Sequence, residues 1–173
     1  MSTGMIKSIG HAAYKCENLE KTVAFYRDIL GCPVKFELTY REWLNYNLQK
    51  AEKTGVPMDP KQVEHLKSLG DQTWITYIDI NGEFIELFYP DGATEHQVPG
   101  TRLNYQHLSL EVDDIHAFTE KIRALGAPID SEPSLGLEHT WQMWSHDPDG
   151  NAIEFMQYTD RSYQLVGKEK SEY

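Results

Sequence analysis

The sequence is poor in cysteine, with only Cys16 and Cys32 among 173 residues. Two thiols cannot make a disulfide framework, so reduced side chains are expected. No apolar run approaches the about 18–20 residues a membrane-spanning helix needs. Positive charge is also scarce. Lys and Arg number 16 against 27 Asp and Glu, a formal net charge of -11. That balance argues against nucleic acid or an anionic membrane as partner, since either requires a clustered basic face. The opening residues, MSTGMIKSIGH, lack a basic-then-apolar signal pattern, and a cytoplasmic location is expected. Hydrophobic content of 40% with 12% aromatic is ordinary for a globular chain. The length suits one compact unit, or two small halves sharing a core.

What is present is an internal repeat. Residues 30–34 read LGCPV and residues 125–129 read LGAPI, 95 positions later. Apolar spacing predicts an amphipathic helix ahead of each, over Leu19–Leu30 and Ile115–Leu125. Asn18 and Asp113 or Asp114 are candidate N-caps, and Gly31 and Gly126 stand where a C′ glycine belongs. A strand is expected before each helix, over 6–14 and 105–112. A hairpin is expected after each. One spans Trp74–Ile80 and Glu83–Tyr89 around Asn81-Gly82; the other spans Thr140–Ser145 and Asn151–Tyr158 around Asp147-Pro148-Asp149-Gly150.

The predicted fold class is therefore α+β, with two βαβββ modules. The modules cover residues 5–90 and 104–159, joined by a linker at 91–103 and followed by a polar tail at 160–173. The first module carries a polar, helix-prone insert at 39–73, broken by Pro57 and Pro60. It is either a lid, a dimer contact or a solvated helical excursion.

Alternate strand residues share a face. Each half then offers one histidine from its first strand, His11 and His107, and one glutamate from its last, Glu86 and Glu154. Each glutamate sits in an apolar strand, FIELF or AIEFM, where a lone carboxylate is costly to bury. A single strand histidine is ordinarily structural. Four such residues at equivalent points of a repeat suggest a metal site. Two imidazoles and two carboxylates suit one divalent ion, Ni, Zn, Fe, Co or Mn. Trp74, Phe88, Tyr105, Trp144 and Met156 are candidates for an apolar substrate wall, with core packing as the alternative. His139 and His146 flank the last hairpin and read as loop histidines; His65, His96 and His116 read as surface residues.

The segments IGHAAY, AFYRDILG, IELF, YQHLSLEVDD and HDPDGNAIEF together resemble the vicinal oxygen chelate superfamily, also called the glyoxalase/bleomycin-resistance proteins. The resemblance spans nearly the whole chain except the insert and tail. It implies that the two modules pair into a curved, partly open mixed sheet around a metal site, and that His11, Glu86, His107 and Glu154 occupy the family's four ligand positions. It also implies a homodimer acting on a small-molecule substrate. A His, Glu, His, Glu set is similar to that of bacterial glyoxalase I. This implies a lyase or isomerase that moves a proton next to a carbonyl through a metal-bound enediolate, with Glu154 as base and Glu86 on the opposite face.

Two positions depart from that pattern. Lys15 stands where the family enzyme usually carries an Arg for the glutathione carboxylate, and Pro90 where it usually carries an Asn. Lys15 can hold a carboxylate only as a point charge. The alternatives are a glutathione-independent epimerase or isomerase of a sugar-like or oxo/hydroxy acid, and a non-catalytic small-molecule binding protein.

Overall fold

The computed structural model describes residues 8–93, 95 and 105–167. The expected linker falls mostly outside these residues, as do His96 and the start of the first predicted strand. Among the described residues no helix is long and apolar enough to cross a membrane. The chain divides into two units, residues 1–94 and 95–173.

Unit 1 runs β1 (His11–Lys15), α1 (Leu19–Ala24), β2 (Val34–Thr39), α2 (Tyr40–Thr54), α3 (Pro60–Leu69), β3 (Thr73–Ile80) and β4 (Glu83–Phe88). Its four strands lie in the order β1-β4-β3-β2. β1 is parallel to β4, and β3 is antiparallel to both β4 and β2. Asn18 caps α1, accepting from the Lys21 amide at 3.0 Å. The predicted helix does not continue regularly to Leu30. It widens at Phe25–Ile29 into a π-helical turn, closed by Leu30 N–H donating to the Phe25 carbonyl. Consecutive α-helical residues diverge by about 100°. The wider turn accompanies burial of two successive aromatics, Phe25 and Tyr26. Beneath the helix, Ile78, Ile85 and Leu87 form the buried face of the sheet.

The insert is a built helical hairpin. Thr39 and Glu42 make a reciprocal capping box at the start of α2, and Gly55, at φ 70, ends it. Asp59 caps α3, with Pro60 in its first turn. The two helices enclose a small core of Tyr40, Leu44 and Leu66, with Trp43, Met58, Val63, Leu69, Trp74 and Tyr89 packed against it. Trp43 stacks on Trp74 at 4.6 Å and 9°. Its residues are polar outward but share an apolar seam with the edge of the sheet, so it is more than a solvated excursion.

Unit 2 runs β5 (Leu108–Glu111), α4 (Ile115–Ala124), β6 (Ser131–Leu135), β7 (Trp141–His146), β8 (Ala152–Gln157) and a short α5 (Tyr163–Val166). Its sheet order, β5-β8-β7-β6, repeats that of unit 1, again with the first strand parallel to the last. Asp114, not Asp113, caps α4. Ile115, Thr119 and Ile122 are the buried face of α4, and Phe118 packs on Phe155 at 4.7 Å. The buried Asp147 builds the β7–β8 turn, accepting from the amides of Asp149 and Asn151, both at 2.9 Å. Burial raises its carboxyl above the usual range, against the pull of these hydrogen bonds. The start of the tail is tied down: buried Ser162 and Thr140 hydroxyls bond at 2.9 Å.

Candidate metal centre

In each unit the same register aims the same side chains. Ala13 of β1 lies opposite Glu86 of β4, and Ser109 of β5 lies opposite Glu154 of β8. In both cases the histidine is two residues earlier, His11 on the Glu86 face of β1 and His107 immediately ahead of β5. His11 Nδ1 stands 3.5 Å from Glu86 Oε1, and His107 Nε2 stands 3.4 Å from Glu154 Oε2. The Glu86 and Glu154 side chains are only 9% and 10% exposed, while the two imidazoles are 51% and 36% exposed.

These separations are long for a charge-assisted hydrogen bond, which prefers about 2.7–2.9 Å. They are close to what two ligands of one ion require. Donor atoms about 2.1 Å from a metal and about 109° apart lie about 3.4 Å from each other. Nearly buried carboxylates facing half-exposed imidazoles, with no Lys or Arg paired to either among the described residues, fit a cation between them. The structure brings the four predicted ligands together as two pairs. Among the described residues no group of three or more His, Cys, Asp or Glu side chains gathers closely enough to hold an ion by itself.

The other predicted site residues fall in different places. Lys15 and Phe88 are paired in register two steps beyond Ala13 and Glu86, on the same face. Met156 stands two residues beyond Glu154 and is buried. Trp144 lies directly opposite Glu154, and its ring meets His107 edge-on at 4.8 Å. Tyr105 is exposed ahead of β5. Trp74 belongs to the core of the insert, with its edge toward Phe88 at 5.7 Å. Four further histidines are engaged elsewhere. His65 contacts Asp91 and His146 contacts Asp130, each at 2.8 Å. The His116 ring lies on Trp141 and the His139 ring on Tyr163.

One residue of the site was not singled out from the sequence. Tyr77 of β3 lies directly opposite Glu86, in the place Trp144 takes opposite Glu154. Hydrogen bonding toward Glu86, then burial, then the Glu86 charge push its phenol up to about 12. The signal was available. The Asn81-Gly82 turn pairs Ile80 with Glu83, and counting three residues outward along each strand meets Tyr77 and Glu86.

Two βαβββ units of identical strand order, each bringing one His beside one Glu, define a glyoxalase-type fold. The model of the Glyoxalase/Bleomycin resistance protein/Dioxygenase superfamily matches residues 8–155, and the chain belongs to that superfamily. It is 28% identical over 168 residues to a probable lactoylglutathione lyase of Vibrio parahaemolyticus, covering 96% of this chain and all of the relative. It is 26% identical over 158 residues to a probable lactoylglutathione lyase of Vibrio cholerae, covering 91% of this chain and 95% of that one. The fold is also similar to the crystal structure of a glyoxalase/dioxygenase from Nostoc punctiforme. That likeness has a TM-score of 0.60 at 18% identity, covering 92% of this chain and 97% of the other.

Proposed function

We propose that the protein is a metal-dependent glyoxalase I-like lyase or isomerase that moves a proton next to a carbonyl of a small-molecule substrate. One observation carries the proposal: two nearly buried carboxylates, each 3.4–3.5 Å from a half-exposed imidazole, at equivalent register in both units. His11, Glu86, His107 and Glu154 would hold a divalent ion, which would supply Lewis-acid polarisation of the carbonyl and so acidify the adjacent C–H. Glu154 takes that proton on a carboxylate oxygen and returns it to the neighbouring carbon. Burial keeps competing water from the carboxylate. The family membership and the relatives named lactoylglutathione lyase support the same reaction class.

Pro90 and Lys15 favour a second reading for the substrate, without glutathione. Pro90, two residues past the end of β4, brings no polar side chain and no N–H. Lys15, on the Glu86 face, offers a point charge rather than a fork. An epimerase or isomerase of a sugar-like or oxo/hydroxy acid fits these residues, with Glu86 working from the opposite side. A homodimer is part of either proposal.

Metal analysis after reconstitution, followed by turnover of methylglyoxal with glutathione, is the test. About one ion per four-ligand set and measurable lyase activity are expected. Bound metal without that activity selects the glutathione-independent enzyme. No metal under any reconstitution rejects both and leaves a small-molecule binding protein.

A further inference from the structure

Unit 2 carries a further histidine–carboxylate pair outside the four proposed ligands. His146 Nδ1 lies 2.8 and 3.0 Å from the two carboxylate oxygens of Asp130. A carboxylate only accepts, so Nδ1–H is the donor and the outer nitrogen, Nε2, is left as an acceptor. Among the described residues Nε2 has no protein partner. His65 is tied the other way. It spends its outer nitrogen on Asp91, at 2.8 Å, and so joins α3 to the chain after β4. A histidine held by its inner nitrogen presents the outer one.

The pair is also set in place. The Asp130 amide donates to the Trp144 carbonyl at 2.9 Å, and the Trp144 amide donates to the Ser131 hydroxyl at 3.2 Å. The Ser145 hydroxyl donates to the Pro128 carbonyl at 2.8 Å. Residues 128–131 are thereby stitched along β7. The β7–β8 ladder pairs His146 with Ala152 and Trp144 with Glu154. His146 therefore shares the sheet face of Glu154, one diagonal step away, about 7–8 Å. Its cross-strand neighbour carries only a methyl group, and the imidazole is 43% exposed. A molecule touching both side chains makes contacts of about 3 Å at each end. What is left between them spans about two covalent bonds.

We propose that His146 is a specificity-determining residue whose Nε2 accepts a hydrogen bond from a substrate hydroxyl, with Asp130 as the positioning residue that fixes the ring. The substrate class is a small hydroxy acid with a further hydroxyl two bonds from the carbon that loses its proton. This rests on Glu154 as proton carrier and on the oxo/hydroxy acid reading given above. The test is calorimetric titration of the full chain, reconstituted with zinc(II), with lactate and with glycerate, which differ only by a hydroxyl on the terminal carbon. Wild type is expected to bind glycerate about fivefold tighter, the net worth of one hydrogen bond. His146→Phe keeps a ring but no nitrogen. It is expected to bind both acids equally, with lactate affinity and thermal midpoint unchanged. In Asp130→Ala the glycerate preference is expected to shrink, and nitrogen NMR of the imidazole is expected to show the loss of the fixed Nδ1–H tautomer. Equal binding of the two acids by wild type overturns the inference while sparing Glu154 as base. So does a glycerate preference that survives in His146→Phe. A wild-type protein that binds neither acid overturns the hydroxy acid reading, and this inference with it.

Discussion

The indole of Trp144 stands edge-on to the imidazole of His107, ring centroids 4.8 Å apart and planes at 79°. Trp144 also lies directly across the β7–β8 ladder from Glu154. One half-buried side chain therefore adjoins both proposed ligands of unit 2. Ring-edge contacts of this kind hold an imidazole in one orientation without consuming either nitrogen. Trp144→Ala should free the His107 ring and weaken metal binding about tenfold, at the low end for an orienting partner. Trp144→Phe, which keeps an aromatic edge, should stay much closer to wild type. Equilibrium metal titration of both variants checks this; equal binding in Trp144→Ala and wild type rejects the orienting role.

Glu86 and Glu154 should separate in a two-readout experiment. Glu154→Gln removes the proposed base and should lower kcat about 10²–10⁴-fold, with most bound metal retained. Glu86→Gln removes the other proposed carboxylate ligand and should show its main effect as lost metal. Metal content and turnover measured on the same samples decide the assignment. Full turnover in Glu154→Gln would be incompatible with its role as base.

Much of this arrangement was legible in the sequence because strands and turns obey simple counting. The period-2 pattern placed Glu86 and Glu154 on one face of their strands. The repeat placed His11 and His107 at matching positions, and the two-residue Asn81-Gly82 turn fixed a register. Asn18, Asp59 and Asp114 cap their helices because a side-chain oxygen there meets an amide the helix leaves free. What counting along one strand does not give is the neighbour across the ladder. Tyr77 and the ring contact of Trp144 with His107 emerge only when β3 and β7 are laid beside their partners. The insert was harder still. Its surface is polar, and its seam of Tyr40, Trp43, Leu44 and Leu66 becomes apolar in meaning only against Trp74 and Tyr89 of the sheet edge.

That seam predicts where the insert's stability lies. Leu66 is fully buried between the two helices and the sheet edge. Leu66→Ala deletes packed methyl groups with little scope for collapse and should cost about 2–5 kcal/mol. Chemical denaturation should show the loss. Because Leu66 touches none of the proposed ligands, metal affinity per folded molecule should be unchanged. An effect below about 0.5 kcal/mol, the range of ordinary surface substitutions, would mean the hairpin is not packed as described.

Tyr40, at the start of α2, gives the fold an alkaline limit. Burial first, then the neighbouring Asp91 and Tyr89, push its phenol from 10.0 up to about 12. A folded-state value above the unfolded one means the protonated phenol is favoured by folding. Its contribution is fully present below pH 10 and is lost as pH rises through 12. Asp91 follows β4 and contacts His65 of α3 at 2.8 Å, so the charge opposing the phenolate is held by the insert itself. Thermal midpoints of wild type should fall between pH 10 and 12 more steeply than those of Tyr40→Phe, which cannot ionise there. The difference between the two proteins should thus shift against wild type as the solution becomes alkaline. A difference that stays constant across that interval would place the alkaline loss on other groups and exclude Tyr40 as its source.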